Sequence, residues 1–325
     1  MIDVTVLLLD DGLPSTSIAP LEILASAGTL WGRLTGTPGE PRFRVRTASV
    51  DRRKSQPGVP IALEPMLALS QVRRTDLIIV PAVGADVERF LDKNRAVIDW
   101  LARRGRHTAV AGVCSGSLVM AEAGLLDGRT ATTHWALGDW ARQRYPQVKW
   151  QPDRFVTHSG NKFCCGGVYS SVDLSLYLVE HYCGHEVAVR TAKSLLLQTP
   201  RVWQTPYAAE PPRSSHDDEA IQRAQTFLFA HFHEPIDIDR LAAKVGMSPR
   251  NFARRFKAAT GEAPLAYIHR LRINSARHYL ESAHRSVREV GQSVGYEDAA
   301  FFRQLFRRYS GTSPREYRAR FGPPR

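Results

Sequence analysis

Cys114 lies between two glycines, Gly112 and Gly116, and this segment is the part of the sequence best suited to nucleophilic chemistry. An apolar run leads into it, and a small-x-nucleophile-x-small pattern between a strand and a helix is typical of a nucleophile elbow. The glycines allow a sharp turn, so the thiol would lie at the carboxyl end of a sheet, beside a helix N-terminus. We expect this position to lower the pKa of the thiol and to present backbone N–H groups to an anion.

A second set of functional side chains is basic and occurs twice in the last third of the chain. Arg and Gln side chains read guanine and adenine edges in the major groove of DNA. Each copy places such residues on the helix face opposite its phenylalanines. The predicted DNA contacts are Arg250, Asn251, Arg254 and Lys257 in the first copy and Ala300, Arg303, Gln304 and Arg307 in the second.

The elements that carry these side chains are repeated between Ile236 and Tyr317. The pair Val245-Gly246 recurs 49 residues later as Val294-Gly295, and the landmarks after it recur 50 residues later. Agreement at so many positions marks an internal repeat. In each copy the glycine ends a short helix and allows the left-handed conformation that a sharp turn needs.

Each copy continues with the start signals and the apolar stripe of a second helix, as in a helix-turn-helix. Ser248 is expected to cap this helix in the first copy, with Pro249 in its first turn. Carboxylates occupy the equivalent start in the second copy, where the helix dipole favours them. The carboxylates are Glu297 and Asp298, and the apolar stripes are Phe252 with Phe256 and Phe302 with Phe306.

The region from Ile236 onward resembles the AraC/XylS family of bacterial transcription regulators. Its closing segment, 311–318, reads GTSPREYR and is similar to the C-terminal signature of that family. A plain helical bundle with a solvated basic face is the alternative, but it would not repeat turn, cap, stripe and basic face together. An RNA-binding protein is disfavoured because nothing resembles an aromatic stacking platform on a sheet.

The composition is that of a globular protein with a basic C-terminal region. Hydrophobic residues make up 43% and charged residues 23% of the 325 residues, which suffice for two domains with separate cores. The net charge is +12, and residues 248–325 carry +10 of it, with 16 Lys and Arg against 6 Asp and Glu. This asymmetry assigns the surface for a polyanion to the C-terminal domain. Four cysteines do not suggest a disulfide framework, and we expect a cytoplasmic protein without a membrane segment.

Apolar strands alternate with helices in the N-terminal half. This order predicts a mostly parallel sheet covered by helices on both faces. The strands are predicted at Val4–Leu9, Phe43–Val50, Asp76–Val80 and His107–Val113, and the helices at Pro20–Leu30, Asp86–Arg104 and Tyr169–Tyr182.

The same half resembles the class I glutamine amidotransferase-like domain of the PfpI type, over residues 3 to 185. The segments that carry the resemblance are Val113–Gly116, Ala123–Gly128 and Thr133–Trp135. The resemblance implies a pocket where Cys114, His134 and the acid Glu22 converge, with the nucleophile, base and orienting acid of cysteine hydrolases. The ligand lining that it implies consists of Glu22, Val83, Cys114, Ser115, His134 and Trp135.

Three positions depart from the catalytic members of that family. Ser115 follows the cysteine where related enzymes often carry histidine, and residues 13–17 contain no carboxylate. Ala82-Val83 stands where many relatives have a glycine pair that supplies an oxyanion N–H. We therefore expect a non-catalytic ligand pocket, without a metal or a cofactor, in which Cys114 is vestigial. A cysteine-dependent hydrolase or amidase fused to a DNA-binding domain is the alternative.

The sequence thus predicts an α/β fold with a flavodoxin-like parallel sheet sandwiched by helices, followed by an all-α domain with two helix-turn-helix motifs. The ligand-sensing domain is expected at 1–200, the linker at 201–218 and the DNA-binding domain at 219–325. The predicted function is that of a transcription regulator, acting as an activator, under the control of a small metabolite. Its expected partners are a double-stranded DNA operator, an amino acid or amine as effector, RNA polymerase and a second copy of the chain.

Overall fold

The computed structural model of the protein describes residues 1–52, 59–84, 86–197, 216, 218–282 and 285–322. The chain divides into two compact units, Met1–Gln204 and Thr205–Arg325. All but residues 216 and 218 of the predicted linker, 201–218, lie outside the described residues. The exact domain limits therefore stay a prediction.

A seven-stranded sheet forms the centre of the first unit. The strands of the whole first unit, in chain order, are β1 Ile2–Leu7, β2 Phe43–Ser49, β3 Leu67–Ala68, β4 Leu77–Val80, β5 Ala109–Val113, β6 Thr130–Ala131, β7 Lys149–Trp150, β8 Val156–Ser159 and β9 Lys162–Cys165. The strand order is β3-β2-β1-β4-β5-β9-β8, while β6 and β7 form a separate two-stranded ladder. Neighbouring strands are parallel except for the pair β8–β9. The predicted, mostly parallel sheet is confirmed.

Helices cover both faces of this sheet, as predicted. They are α1 Ser15–Ser26, α2 Leu30–Thr35, α3 Val87–Lys93, α4 Arg95–Arg104, α5 Gly116–Glu122, α6 Gly138–Arg144, α7 Ser170–Cys183 and α8 His185–Ser194. Because successive strand residues point to opposite faces, β4 supplies two cores. Leu77 and Ile79 belong to the core under α1 and α7, and Ile78 and Val80 to the core under α3, α4 and α5.

Two helix predictions for this unit were wrong in their limits. The helix expected at Pro20–Leu30 begins at Ser15 and ends at Ser26, and Pro20 lies inside it. Proline is most common in the first turn of a helix. Inside a helix its missing N–H removes one backbone hydrogen bond, and packing can tolerate this loss. The helix expected at 86–104 consists of α3 and α4, which are separated at Asn94.

The second unit is helical throughout its described residues. Its helices are α9 Glu219–His231, α10 Ile238–Lys244, α11 Pro249–Thr260, α12 Pro264–Ser282, α13 Val287–Ser293, α14 Ala299–Ser310 and α15 Pro314–Phe321. The pairs α10–α11 and α13–α14 are the two predicted helix-turn-helix motifs, and α12 joins them.

The long helix α12 contributes to the cores of both motifs. Its first half packs Ile268 and Leu271 against the core around α11, and its second half packs Ala276 and Leu280 against the core around α14. Although α12 is the longest helix, with 19 residues, no helix within the described ranges is both long and apolar enough to cross a bilayer.

Candidate functional site

The first helix-turn-helix has the turn and the cap that its sequence predicts. Gly246, after α10, has a φ of +75°, a left-handed conformation that glycine adopts without strain. Ser248 caps α11, and its hydroxyl accepts a hydrogen bond from the backbone N–H of Asn251 at 3.4 Å. Phe252 and Phe256 are fully buried on the inner face. The outer face of α11 is therefore turned to solvent.

The second motif repeats this construction with a different cap. Gly295 has a φ of +88°, and Asp298 caps α14. One oxygen of the Asp298 carboxylate accepts hydrogen bonds from the N–H groups of Ala300 at 2.7 Å and Phe301 at 3.2 Å. The predicted role of the carboxylate at this helix start is confirmed.

The predicted base-reading residues lie on the outward faces of α11 and α14. Seven of the eight are exposed, and Asn251 is half-buried. Arg254 donates a hydrogen bond to the side-chain oxygen of Asn251 at 3.0 Å, so these two polar groups form one unit. The exposed residues are Arg250, Arg254, Lys257, Ala300, Arg303, Gln304 and Arg307.

Arg255 is the basic residue of α11 that faces the protein instead. Its guanidinium binds both carboxylate oxygens of Asp218, at 2.9 and 2.8 Å, and this bond lowers the pKa of the Asp218 carboxyl. Asp218 also caps α9 by accepting a hydrogen bond from the N–H of Ile221 at 3.2 Å. Arg255 thus joins α11 to the start of α9.

Arg272, on α12, bridges the two helix-turn-helix motifs, a role that no pattern in the sequence indicates. Its guanidinium donates to the carbonyl oxygens of Phe232 at 2.7 Å and Glu234 at 2.8 Å, both just before α10. It also donates to the carbonyl oxygen of Gly295 at 3.0 Å, in the turn of the second motif, and lies over the ring of Tyr296. One side chain therefore ties the start of the first motif to the turn of the second.

In the first unit, the predicted nucleophile elbow is confirmed in shape. Cys114 separates β5 from α5 and has a φ of +53°, which is unusual for a residue other than glycine. A Cβ atom on Gly116 would lie 2.4 Å from the carbonyl oxygen of Val80, and one on Gly112 would lie 2.8 Å from the backbone nitrogen of Ser117. The turn therefore requires both glycines.

The expected lowering of the thiol pKa was wrong. Cys114 is only 5% exposed, and burial raises the pKa of its thiol, although backbone N–H groups of Gly167 and Ser115 favour the thiolate. In a buried position the loss of hydration outweighs the contribution of a helix N-terminus. The thiol is therefore protonated at neutral pH.

The backbone groups beside the elbow are hydrogen-bonded to side-chain hydroxyls. The N–H of Val83 donates to the hydroxyl oxygen of Ser115 at 3.0 Å, and the same hydroxyl donates to the carbonyl oxygen of Val83 at 2.8 Å. The carbonyl oxygen of Cys114 accepts from the hydroxyls of Ser117 at 2.7 Å and Thr133 at 3.1 Å. The N–H that would serve as an oxyanion donor is thus already occupied by Ser115.

The hydrogen bond from Thr133 to Cys114 places the following residue, His134, close to the elbow. His134 is half-buried, burial lowers its pKa, and its Nδ1 accepts from the N–H of Ala136 at 3.2 Å. Its ring lies 5.3 Å from that of Trp135. Glu22 is exposed and lies in the second half of α1, which begins at Ser15 rather than at Pro20. Glu22 is therefore not at the start of this helix, and its expected convergence with Cys114 and His134 stays a prediction.

Comparison with known proteins assigns both units. A model of the DJ-1/PfpI family matches residues 18–180, and a model of a helix-turn-helix domain matches residues 241–320. The chain is 31% identical over 263 residues to the HTH-type transcriptional regulator Rv1931c of Mycobacterium tuberculosis, covering 76% of this chain and 95% of that protein. The chain belongs to the AraC-type transcription regulators that carry an N-terminal DJ-1/PfpI domain. It is a DNA-binding protein of this class.

Other relatives agree with this family. The HTH-type transcriptional regulator GbdR of Pseudomonas aeruginosa is 27% identical over 315 residues, which cover 96% of this chain and 83% of GbdR. The fold of the first unit is similar to that of DJ-1beta from Drosophila melanogaster, with a TM-score of 0.50 at 18% identity, over 61% of this chain and 98% of that one. The sheet and its covering helices are thus those of the DJ-1/PfpI fold.

Proposed function

We propose that the DJ-1/PfpI-type unit of this regulator senses a small metabolite and thereby controls how α11 and α14 bind an operator. The observation that carries the proposal is the pair of exposed polar faces on these two helices, each backed by two buried phenylalanines. Two reading helices on one chain suit adjacent major-groove segments, about one helical turn or ~34 Å apart.

The two reading helices differ in chemistry, and we infer that they read different base sequences. The first carries Arg254 joined to Asn251, and these groups suit hydrogen bonds to guanine and adenine edges. The second carries Gln304 at the position equivalent to Arg254, and Phe301, 45% exposed, at the position equivalent to Asn251. An exposed aromatic ring suits the methyl group of thymine.

Replacing Arg254 with alanine is expected to cost roughly 1–3 kcal/mol of binding free energy on the selected operator and to relax the preference at one base position. Gln304→Ala should do the same at a position in the other groove segment. The measurement is fluorescence anisotropy at fixed salt, on the operator selected from a random pool and on a scrambled duplex. Arg33→Ala, which removes an exposed arginine of the first unit, is the charge-matched control. Equal losses on both duplexes would make Arg254 a phosphate contact.

We further propose that the first unit senses without catalysis. Support comes from the buried, protonated thiol of Cys114 and from the N–H of Val83, which Ser115 occupies. An oxyanion intermediate needs a preorganised donor that is free to bind it, and a cysteine nucleophile needs the thiolate. The proposed effector belongs to the amino acids or amines.

Cys114→Ala is expected to leave both operator affinity and the effector response within about two-fold of the parent protein, because the proposed sensing needs no covalent bond to this thiol and the substitution leaves the reading helices unchanged. The alternative, a cysteine hydrolase or amidase, predicts a covalent thioester at Cys114, which mass spectrometry of the acid-quenched protein would detect. A variant that folds and binds the effector but loses the response would restore the covalent mechanism.

The remaining partners follow from the proposed role. A regulator whose ligand is chromosomal DNA acts in the cytoplasm, and an activator has to contact RNA polymerase beside its operator. We also propose a homodimer, in which two copies offer four reading helices to a repeated operator. Sedimentation of the full chain, with and without operator DNA, measures this stoichiometry.

A further inference from the structure

A cavity of about 380 Å³ opens in the first unit at the edge of the sheet where β1 and β2 begin. The elbow lies at the opposite edge, where the parallel strand β5 ends. Helices α1 and α2 form one wall of the cavity, α8 forms the other, and the segment before β2 forms its rim. The volume lies within the range of about 300–1,000 Å³ that small-molecule sites occupy. The residues used below are Trp31, Glu40, Arg42, Val187, Arg190 and Thr191.

The rim of the cavity is held in place by backbone contacts. The N–H of Arg42 donates to the carbonyl oxygen of Ala27 at 3.3 Å, and its carbonyl oxygen accepts from the N–H of Ile2 at 2.9 Å, in the first strand of the sheet. Gly28 has a φ of +83°, and a Cβ atom there would lie 2.2 Å from the carbonyl oxygen of Glu40. The rim is therefore packed directly on the end of α1, and the position of Arg42 is fixed by the sheet.

Two guanidinium groups give the cavity an excess of hydrogen-bond donors over acceptors, with the carboxylates of Glu40 and Glu186 balancing their charge. Arg42 is 4.0 Å from the carboxylate of Glu40, beyond hydrogen-bond distance, and its side chain is 48% exposed. Arg190 binds Glu186 at 2.5 Å through one nitrogen, which leaves its other donors for a further group. Arginine binds carboxylates through two parallel N–H groups. The lining therefore favours a ligand with a carboxylate.

Apolar side chains on both walls of the cavity can hold the body of such a ligand. Trp31, from α2, and Val187, from α8, are both half-buried. Thr191 is 2% exposed, and its hydroxyl donates to the carbonyl oxygen of Val187 at 2.8 Å, so that its methyl group can contribute to the surface. A small molecule with one carboxylate and a compact carbon skeleton matches this division between donors and apolar surface.

The position of the cavity in the chain also suits an effector site. Three of its lining residues lie on α8, which ends at Ser194 and is the last helix described in the first unit, the unit that precedes the DNA-binding unit in the chain. A ligand that bridges α8 and the rim would change the stability of this helix by mass action. At the elbow, in contrast, Ser115 and Val83 already satisfy one another.

We propose that this cavity is the effector site of the regulator and that it binds a small metabolite through a carboxylate held by Arg42 and Arg190. The inference rests on the proposed function, because it locates the ligand that the sensing unit is proposed to bind. It differs from the position at the elbow, beside Cys114 and His134, that the resemblance to the PfpI-type domain implies.

The test uses the full chain and a panel of amino acids and short-chain mono- and dicarboxylates, each paired with its neutral amide. Thermal shift identifies the carboxylates that bind, and isothermal titration then measures their Kd. We expect at least one carboxylate to bind and its amide to fail. Its Kd should rise roughly ten-fold or more in Arg42→Gln and in Arg190→Gln, because each variant removes a charged donor.

Two matched variants complete the experiment. Arg33→Gln removes an exposed arginine of α2 outside the lining, and His134→Ala changes the elbow side of the sheet. Both should leave the Kd of the carboxylate unchanged. The inference is overturned if no carboxylate binds, if Arg42→Gln and Arg190→Gln bind with the parent Kd, or if His134→Ala alone weakens binding.

Operator binding, measured by anisotropy on the same proteins without ligand, separates this inference from the proposed function. Arg42→Gln and Arg190→Gln should bind the operator as the parent does and should respond at higher carboxylate concentrations. If the parent protein binds the carboxylate but selects no DNA duplex, the proposed regulatory function is overturned and the proposed site stands. If the parent protein binds its operator but the Kd for the carboxylate is the same in both arginine variants, only the proposed site is overturned.

Discussion

Phe302→Ala is expected to lower the free energy of unfolding of the second unit by about 3–5 kcal/mol, the usual cost of removing a buried phenylalanine ring. Phe302 is fully buried, and its ring centroid lies 5.8 Å from that of Phe306 and 5.7 Å from that of Tyr296. Since a domain is stable by only about 5–15 kcal/mol, a large part of the stability of the second unit would be lost. Hydrogen exchange of peptides from α14 in the full chain measures this loss, and anisotropy measures the loss of operator affinity.

The neighbouring residue provides the control for this prediction. Phe301 is 45% exposed on the same helix and makes edge contacts with the rings of His269 and Tyr296, 6.1 and 6.0 Å away. Phe301→Ala therefore deletes the same ring without opening a buried cavity. We expect its cost in stability to stay below about 1.5 kcal/mol, while operator affinity falls if the ring contacts a base. Equal destabilisation by both variants would show that α14 does not divide into a buried and an outward face.

Arg272→Ala is expected to have the second largest effect, because it leaves three backbone carbonyl oxygens without their donor. A hydrogen bond to a charged group contributes about 1.5–3 kcal/mol. Arg272 is half-buried, and water can reach part of the site. We therefore expect a loss of about 2–4 kcal/mol in stability rather than the sum of three bonds. Urea denaturation of the full chain, monitored by exchange of peptides from α12, measures it.

The same variant should affect DNA binding in a manner that depends on the length of the site. The two reading helices gain affinity from binding together, so a disturbed spacing should lower affinity for the full operator by about 10- to 100-fold and change half-site binding little. Arg272→Lys keeps the charge but cannot reach three carbonyls at once, and it should lie between the parent and the alanine variant. Arg240→Ala, on the exposed side of α10 with an ion pair of 3.5 Å to Asp237, is the control. Equal losses on the full operator and the half-site would contradict a bridging role for Arg272.

The sequence by itself determined the features of this protein that depend on neighbours within a few residues. The caps at Ser248 and Asp298, the left-handed turns at Gly246 and Gly295, and the alternation of strands and helices are local, and each was predicted correctly. Duplication strengthened the prediction for the DNA-binding half, since one pattern of landmarks occurs at two places in the chain. The sharp turn at Cys114 was also predictable, because the glycines on both sides of it indicate that two backbone segments approach each other closely there.

The tertiary structure alone decided what these elements do to one another. The pKa of Cys114 depends on how deeply β5 and α5 are buried, and no local pattern reports that depth. The helix that carries Glu22 was predicted to begin five residues too late, and a shift of this size changes which side chains reach the edge of a sheet. Arg272 looks like any other arginine in a basic domain until the chain brings Phe232, Glu234 and Gly295 around it. The cavity beside Arg42 and Arg190 joins segments about 150 residues apart, and contacts at that distance are set by the packing of the whole unit rather than by the spacing of residues in the sequence.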